Sequence, residues 1–465
     1  MDNFWDSNVW GTLLLFAVLL GSLLAGNIIK KSIPLLKNSL IPTSVLGGTL
    51  LIIVAGIYKL ITGDVMFDTA FFGNSGTAKL EIITYHSLAL GFIASTLKTS
   101  EHKLTKKRSI EIFNSGVTTV STYLLQAIFG LAITLIAALV VTDFFSSAGI
   151  LLPFGFGQGS GQAMNYGNIY EIDYGFIGGK SFGLTIAALG FLSASFGGVI
   201  HLNLMKKCGK LKTAKKEERT IRPEDVESPN EIPMQESVDK MTIQIALIVV
   251  TYFITYALMK LLGDLIPGMK ATIYGFNFLL GVLSASLVKL VMKLFKKMSV
   301  LKKSYTNNFL LTRASNLFFD IMIVAGIAAI RLDIVEKYWG ILLILGGVGL
   351  VITYAYTRFV SRVLFPEYNE EQFLATYGML TGTASTGIML LREIDGDFET
   401  PAADNLVYQN FPAIAFGFPL MLLATLAPKK PVLTLIIIIV FFIVMNIILF
   451  RSFIFKKRNK NEKNS

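Results

Sequence analysis

The sequence predicts an all-α protein that is embedded in a membrane and crosses it about eleven times. Of its 465 residues, 53% are hydrophobic and only 16% are charged, whereas a soluble domain carries roughly a quarter charged residues. The charged residues are also clustered, so that long uncharged runs alternate with short groups of lysine and arginine. Such runs suit a hydrocarbon core of ~30 Å, which a helix of about 20 apolar residues crosses.

Eleven uncharged runs are the predicted spans, and a polar linker at residues 206–240 divides them into two groups. The first group belongs to residues 1–205, the second to residues 241–428, and a last span with a basic tail occupies residues 429–465. The predicted spans are 7–29, 38–58, 82–97, 112–142 and 181–205, then 241–259, 271–288, 310–330, 338–357, 405–428 and 431–450.

Two further uncharged runs, 144–170 and 372–391, are rich in Gly, Ser, Thr, Gln and Asn and would make poor lipid-facing helices. We interpret both as re-entrant hairpins that enter the membrane and return on the same side. Backbone that is not fully helical is tolerated at membrane depth only where it lines a protein cavity. The hairpins are therefore candidate functional segments.

Basic residues predict the orientation. The net charge of +11 would suggest nucleic-acid binding in a soluble protein, but here the lysines and arginines lie at the ends of apolar runs, where they set topology. We expect no nucleic-acid partner, an N-terminus outside and a C-terminus in the cytoplasm. The predicted inner groups are 30–37, 103–108, the linker, 296–303, 358–392 and 456–463, and the poorer outer groups are 59–79, 180, 270, 331–337 and 429–430.

The first 29 residues contain no lysine or arginine, so they lack the basic leader of a cleaved signal peptide. The first run is therefore expected to be a retained helix. The single cysteine, Cys208, and three dispersed histidines indicate neither a disulfide nor a metal cluster.

The two halves follow the same plan with opposite orientation. Each has four spans, a hairpin and a fifth span, and the first hairpin enters from outside while the second enters from inside. Ile41-Pro42 with Gly47-Gly48 in one half corresponds to Ile266-Pro267 with Gly275 in the other. Inverted-topology repeats are typical of secondary transporters, which bind substrate and coupling ions near the midplane.

The first hairpin contains alternating glycines, which permit a sharp turn and expose peptide groups. A helix that starts after the turn directs free N–H groups and its positive dipole end at a ligand, which suits a carboxylate. Carbonyl and hydroxyl oxygens suit a small hard cation. The candidate substrate ligands are Gly157, Gln158, Gly159, Ser160 and Gly161, and the candidate ion ligands are Ser160 and Asn165.

The second hairpin has the same character with more hydroxyl groups. Its candidate substrate ligands are Thr381, Gly382, Thr383, Ser385 and Thr386, of which Thr381 and Thr383 are also candidate ion ligands. The alternative is that these small residues only allow helices to pack closely, as they do in many membrane proteins.

Ionisable groups inside spans are functional candidates by default. Asp320 lies in the middle of a predicted span, and Arg313 lies seven residues earlier on the same face. Asp320 is a candidate sodium or proton ligand and Arg313 a candidate partner of an anionic substrate, although the two could also neutralise each other. Residues near span ends are predicted to be solvated, namely Lys180, Asp404, Asn405, Gln409 and Asn410, and so are the charges of the linker.

The segment Gly157-Gln158-Gly159-Ser160-Gly161, with the later Tyr174-Gly175-Phe176, resembles the first glycine hairpin of the bacterial sodium/glutamate symporter family. The run 35–42 followed by Gly47-Gly48 resembles the first inner loop and second span of that family, and the order of spans agrees over residues 10–420. The chain departs from the family at Leu380 and Ser385, in its tenth span and in its extra last span.

The resemblance implies a homodimeric carrier in the bacterial plasma membrane, with hairpins in a mobile transport domain that slides against a scaffold, an elevator-type transporter. The expected function is sodium-coupled import of glutamate or a related acidic amino acid. Na⁺ is the coupling ion, no other cofactor is expected and the chain is not expected to be an enzyme. The alternatives are a carrier of a di- or tricarboxylate, coupled to sodium or protons, and a channel or membrane enzyme.

Overall fold

The computed structural model describes residues 4–37, 41–98, 105–208, 231–234, 238–267, 270–395 and 399–454. Most of the predicted linker, the start of the second predicted span, the basic residue at 103 and the basic tail lie outside these ranges. Within them the regular elements are α-helices and short 3₁₀ turns, with one isolated bridge between Glu231 and Ser304.

Eighteen α-helices are described here in chain order. The first eight are α1 (Ser7–Ser32), α2 (Pro34–Lys37), α3 (Thr43–Thr62), α4 (Gly76–Leu97), α5 (Lys106–Val140), α6 (Leu151–Gln158), α7 (Ser160–Tyr174) and α8 (Gly179–Lys207). The others are α9 (Lys240–Leu265), α10 (Lys270–Gly275), α11 (Asn277–Lys297), α12 (Asn308–Ala328), α13 (Leu332–Leu364), α14 (Asn369–Thr381), α15 (Ala384–Arg392), α16 (Ala402–Tyr408), α17 (Asn410–Leu426) and α18 (Pro431–Leu449).

Ten of the described helices are long and apolar enough to cross a membrane, and α16 with α17, bent by 49°, supplies an eleventh candidate. The chain is therefore a multi-pass membrane protein, as its hydropathy predicts. The orientation of the termini stays a prediction.

Several helix ends differ from the predicted ones, because a charged residue ends an uncharged run without ending a helix. The predicted second span, 38–58, corresponds to α3, which continues past Lys59 to Thr62. The helix α5 begins before its predicted start because the Thr105 side chain accepts a hydrogen bond from the backbone N–H of Arg108 and caps it.

The helices form two compact units, and each unit draws on both halves of the sequence. Unit 1 contains the described residues within 1–24, 47–103 and 216–329, and unit 2 those within 25–46, 104–215 and 330–465. In unit 1, α4 packs against α9, α11 and α12 around a core of Ile93, Ala94, Leu97, Ile248, Ala285, Leu311 and Ala314.

The end of the linker is anchored in unit 1, which corrects, for Glu231 and Lys240, the expectation that the charges of the linker are solvated. Lys240 is 0% exposed, and its Nζ lies 2.8 Å from Oε2 of Glu231. Asn307 donates to the same carboxylate oxygen at 2.6 Å. The N–H of Ile232 donates to the carbonyl of Ser304 at 3.1 Å. A charge that loses water needs such partners, and here the fold brings them together.

In unit 2, most of the other long helices pack against α5 or α8, and α18 packs along α5. The face of α18 that is buried carries Thr434, Ile438, Met445 and Leu449. The hydroxyl of Tyr356 donates to Asn446 at 2.8 Å, and the guanidinium of Arg451 lies 4.8 Å from the centre of the Phe113 ring. The last span is thus part of unit 2.

Candidate functional site

The first predicted hairpin is a helical hairpin made of α6 and α7. Gly159 joins the two helices with φ 85° and ψ −178°. Glycine adopts this backbone conformation readily, whereas residues with a Cβ atom rarely do. The rings of Phe154 and Tyr166, on either side of the turn, stack with centroids 4.1 Å apart. The hydroxyl of Tyr166 donates to the carbonyl of Met421 at 2.8 Å and fixes α7 against α17.

The second predicted hairpin is also helical and consists of α14 and α15, joined at Gly382 and Thr383. The two arms lie backbone to backbone, because a Cβ added to Gly378 would lie 2.8 Å from the Cα of Gly387. The hydroxyl of Tyr377 donates to the carbonyl of Ser193 at 2.7 Å, so α14 is fixed against α8. Each predicted hairpin segment thus contains two helices joined at a turn. That the segments are re-entrant in a membrane, and which face each enters from, stay predictions.

The two hairpins meet at Gly190 of α8, inside unit 2. A Cβ added there would lie 2.7 Å from the carbonyl oxygen of Thr381 and 3.2 Å from the Cα of Phe156. Thr381 ends α14, and Phe156 lies in the last turn of α6, so the carboxyl ends of both first arms converge at this residue. The carboxyl end of a helix carries a partial negative charge of unpaired carbonyl groups.

Two side chains of α5 donate hydrogen bonds to backbone carbonyl groups at these carboxyl ends. The hydroxyl of Tyr123 donates to the carbonyl of Gly157 at 3.0 Å. The Nε2 of Gln126 donates to the carbonyl of Leu380 at 3.0 Å and lies 2.8 Å from Oγ1 of Thr353 on α13. Tyr123 and Gln126 are three residues apart and thus lie on one face of the helix. One face of α5 therefore contacts both hairpins.

The second arms, α7 and α15, start beside these ends without a side-chain cap. Gly159, which precedes α7, has no side chain, and the side chain of Thr383, which precedes α15, accepts no hydrogen bond from a backbone N–H of that helix. The turns of both hairpins, 155–165 and 378–387, contain no charged residue. The two helix starts thus have positive dipole ends without a side-chain cap or a neighbouring charge, an arrangement that suits an anion.

Four buried polar atoms around this place have no hydrogen-bond partner among the described residues. They are Oε1 of Gln126, Oε1 of Gln158, Oγ of Ser160 and Nε2 of Gln162. Each buried unsatisfied group costs about 1–3 kcal/mol. Three of the four lie at the turn of the first hairpin, where a bound ligand or water would satisfy them.

The predicted residues of the first hairpin all lie at or next to its turn. Gly157, Gln158, Gly159, Ser160 and Gly161 form the turn, and Ser160 is 1% exposed. Asn165 is 4% exposed, one turn further along α7, and its Nδ2 lies 3.5 Å from Oε1 of Gln162.

In the second hairpin, Thr381 is fully buried, and its hydroxyl donates to the carbonyl of Tyr377 at 2.7 Å. The hydroxyls of Thr383 and Thr386 lie 3.4 Å apart. Gly382 is buried at the turn, while the side chain of Ser385 lies outside the described part of the chain.

Arg313 and Asp320 are on α12, in unit 1, whereas both hairpins belong to unit 2. The guanidinium of Arg313 lies 5.0 Å from the centre of the Phe309 ring. Both side chains are exposed in unit 1, and their role as ligands stays a prediction.

Asn405 and Gln409 were expected to be solvated at a span end, and this expectation is wrong. Both are 0% exposed, because α16 and α17 place them beneath the second hairpin. Oε1 of Gln409 accepts from Ser115 at 2.5 Å. Asn405 donates to Gln372 at 2.8 Å. Asp404, by contrast, has an exposed side chain.

Tyr123, Gln126 and Gly190 were not among the residues that the sequence pointed to. Gln126 is a neutral amide within the long uncharged run of α5, whereas the polar candidates within spans are ionisable side chains. A search for uncharged amides in apolar runs would have found it. No protein-family model matches the chain, and no curated protein matches it. Across the described residues, no group of His, Cys, Asp and Glu could hold a metal ion.

Proposed function

We propose that the protein is a sodium-coupled symporter that imports glutamate or a related acidic amino acid, of the sodium/glutamate symporter kind that its hairpin sequence resembles. One observation carries the proposal. Two helical hairpins, one from each half of the sequence, meet at Gly190 through the ends of their first arms, and the turn of the first hairpin carries three buried polar atoms without a partner among the described residues. Such discontinuous helices are typical of substrate and ion sites in transporters.

The arrangement offers separate places for an anion and a cation. The carboxylate of the substrate would bind at the uncapped start of α7, where the N–H groups of Ser160 and Gly161 are close to the Ser160 hydroxyl. Sodium would bind near the carboxyl ends of α6 and α14, where carbonyl oxygens and a negative dipole end favour a cation. Hydroxyls of the second hairpin would orient the substrate.

Coupling would follow from a shared closed state. Sodium would hold the two first arms together, and the substrate would hold the two second arms. Each ligand then stabilises the arrangement that the other binds, so each raises the affinity for the other. In this proposal unit 2 is the mobile transport domain, unit 1 is the scaffold of a homodimer, and the two sequence halves are inverted repeats.

The second candidate is a carrier of another organic anion, and the departure from the family pattern at Leu380 is one reason to consider it. The Leu380 side chain is fully buried in a hydrophobic cluster with Phe365, Met379 and Leu391, and only its carbonyl accepts from Gln126. The Leu380 side chain therefore does not reach the turn, so this difference from the family gives no reason to prefer another organic anion over an acidic amino acid.

The test is uptake of radiolabelled glutamate into proteoliposomes that contain the purified protein. We expect accumulation that requires an inward sodium gradient and that unlabelled glutamate or aspartate suppresses more than citrate or malate does. Uptake that is unchanged when choline replaces sodium, or that only a proton gradient drives, would contradict sodium coupling. Stronger suppression by citrate or malate would support the second candidate.

A further inference from the structure

We infer that Gln126 of α5 supplies, through Oε1, an oxygen ligand to the coupling sodium ion. This inference rests on the proposed function and adds to it a residue that belongs to a span and not to a hairpin. Gln126 is 0% exposed, and its Oε1 has no hydrogen-bond partner in the part of the chain that the structure describes.

The orientation of the Gln126 amide follows from its partners. The Leu380 carbonyl, 3.0 Å away, can only accept a hydrogen bond, so the amide must direct its NH₂ group there. The second N–H is 2.8 Å from Oγ1 of Thr353. Both donors are thus occupied, and the oxygen must point elsewhere, with its lone pairs free.

A residue that served only as a tether would need only the NH₂ group. A buried carbonyl oxygen without a partner costs free energy, and a bound donor or cation removes that cost. Two features favour a cation here. The amide sits at the carboxyl end of α14, and the carboxyl end of α6 converges on the same residue of α8, so two negative helix ends face this place. Neutral carbonyl oxygens are ligands that hard cations prefer.

The same oxygen could also accept a hydrogen bond from the ammonium group of an amino-acid substrate. The experiment must therefore measure sodium binding without substrate. Purified protein in potassium buffer would be titrated with sodium chloride at constant ionic strength, and the rise in unfolding temperature would give the half-saturating sodium concentration. The same titration with glutamate at a fixed sodium concentration would measure substrate binding separately.

The main variant is Gln126→Met, which keeps the length of the side chain and removes its polar atoms. The matched control is Thr353→Val, which removes the second partner of the amide and leaves Oε1 in place. A further variant, Gln126→Glu, keeps an oxygen at this position. Size-exclusion profiles and unfolding temperatures in potassium alone would show whether each variant is folded.

We expect Gln126→Met to raise the half-saturating sodium concentration by at least about tenfold, the loss typical of a weakened metal shell. Thr353→Val is expected to stay near the wild-type value, and Gln126→Glu, which keeps an oxygen but loses the donor to Leu380, is expected to keep a sodium response. An unchanged sodium response in Gln126→Met, or an equal loss in Thr353→Val, would overturn the inference. If Gln126→Met does not fold, a loss of sodium response in folded Gln126→Glu would overturn it.

A glutamate response that weakens in Gln126→Met while the sodium response does not would assign the oxygen to the substrate ammonium group and overturn the sodium assignment. A wild-type protein whose unfolding temperature and uptake both ignore sodium would instead contradict the proposed function. The two failures are therefore distinguishable.

Discussion

The hydroxyl of Tyr123 donates a hydrogen bond of 3.0 Å to the carbonyl oxygen of Gly157, the penultimate residue of α6. One turn along the same face of α5, Gln126 donates to the carbonyl of Leu380 in the other hairpin at 3.0 Å. A single helix thus contacts the ends of both hairpins with two side chains. A shift of α5 would displace both ends together, which makes this contact central to the proposed closed state.

Replacing Tyr123 with Phe removes the hydrogen bond to Gly157 and leaves the ring in place. We expect the KM for substrate uptake to rise by about two- to tenfold, the net value of one hydrogen bond. The control is Tyr356→Phe, which removes the bond to Asn446 on the last span and should leave KM unchanged. Equal increases in both variants would show that the effect is general loosening of unit 2.

Gly159→Val should abolish transport while expression and folding persist. Gly159 has φ 85° and ψ −178°, and a side chain there costs about 1–3 kcal/mol of backbone strain. We expect the turn to change its conformation to relieve this strain, which would disrupt the site. The control is Gly340→Val on α13, where an added Cβ meets nothing within 4 Å. Proteoliposome uptake measures both, and wild-type uptake by Gly159→Val would mean that the turn only packs.

Water should reach both hairpin turns. In a background where the exposed Cys208 is replaced by Ser, we expect Gln158→Cys and Thr383→Cys to react with a membrane-impermeant maleimide from at least one side. Val440→Cys, on the strongly apolar α18 and 55% exposed in the isolated chain, should not react because lipid covers it. No labelling at positions 158 and 383 from either side would contradict the site.

The base of the second hairpin depends on Glu370. Its carboxylate pairs with Arg358 and with Nε2 of His201, the latter at 2.9 Å. Glu370→Leu should destabilise the protein by about 3 kcal/mol, because it leaves a buried arginine without its partner. Glu367→Leu is the control, since the pair of Glu367 with Lys107 is mostly exposed and such pairs contribute little. Thermal unfolding in detergent compares them, and equal losses would contradict the assignment.

The buried pair of Lys240 and Glu231 predicts a non-additive result. Lys240→Met alone should destabilise unit 1 by about 3 kcal/mol, because Glu231 would lose its cationic partner. The double variant Lys240→Met with Glu231→Met should recover most of that loss, since no charge remains buried. Unfolding free energies of the four proteins form the cycle. A double variant as unstable as the sum of the single ones would contradict the pairing.

Much of the architecture was predictable because it depends on local composition. Hydropathy alone located the long helices, from α1 to the very apolar α18. In a membrane the backbone must form its hydrogen bonds within the helix, and the side chains that face lipid must be apolar. The hairpins were predictable for a related reason, because glycines and hydroxyls within an apolar run exclude an ordinary span. The turn at Gly159 lies within the run that the sequence singled out.

The contacts that make these segments a candidate site could not be predicted in the same way. Gln126 and Leu380 are 254 positions apart in the chain, and their pairing depends on how α5, α8 and α14 pack. Asn405 and Gln409 were misjudged because distance from a span centre does not determine burial, which depends on what packs over a residue. The membrane character, the helices and the two hairpins were thus determined by the sequence itself, through hydropathy and backbone freedom. Tertiary structure alone decided that the hairpin ends meet at Gly190 and that a span supplies Tyr123 and Gln126, because such contacts arise only when distant helices pack together.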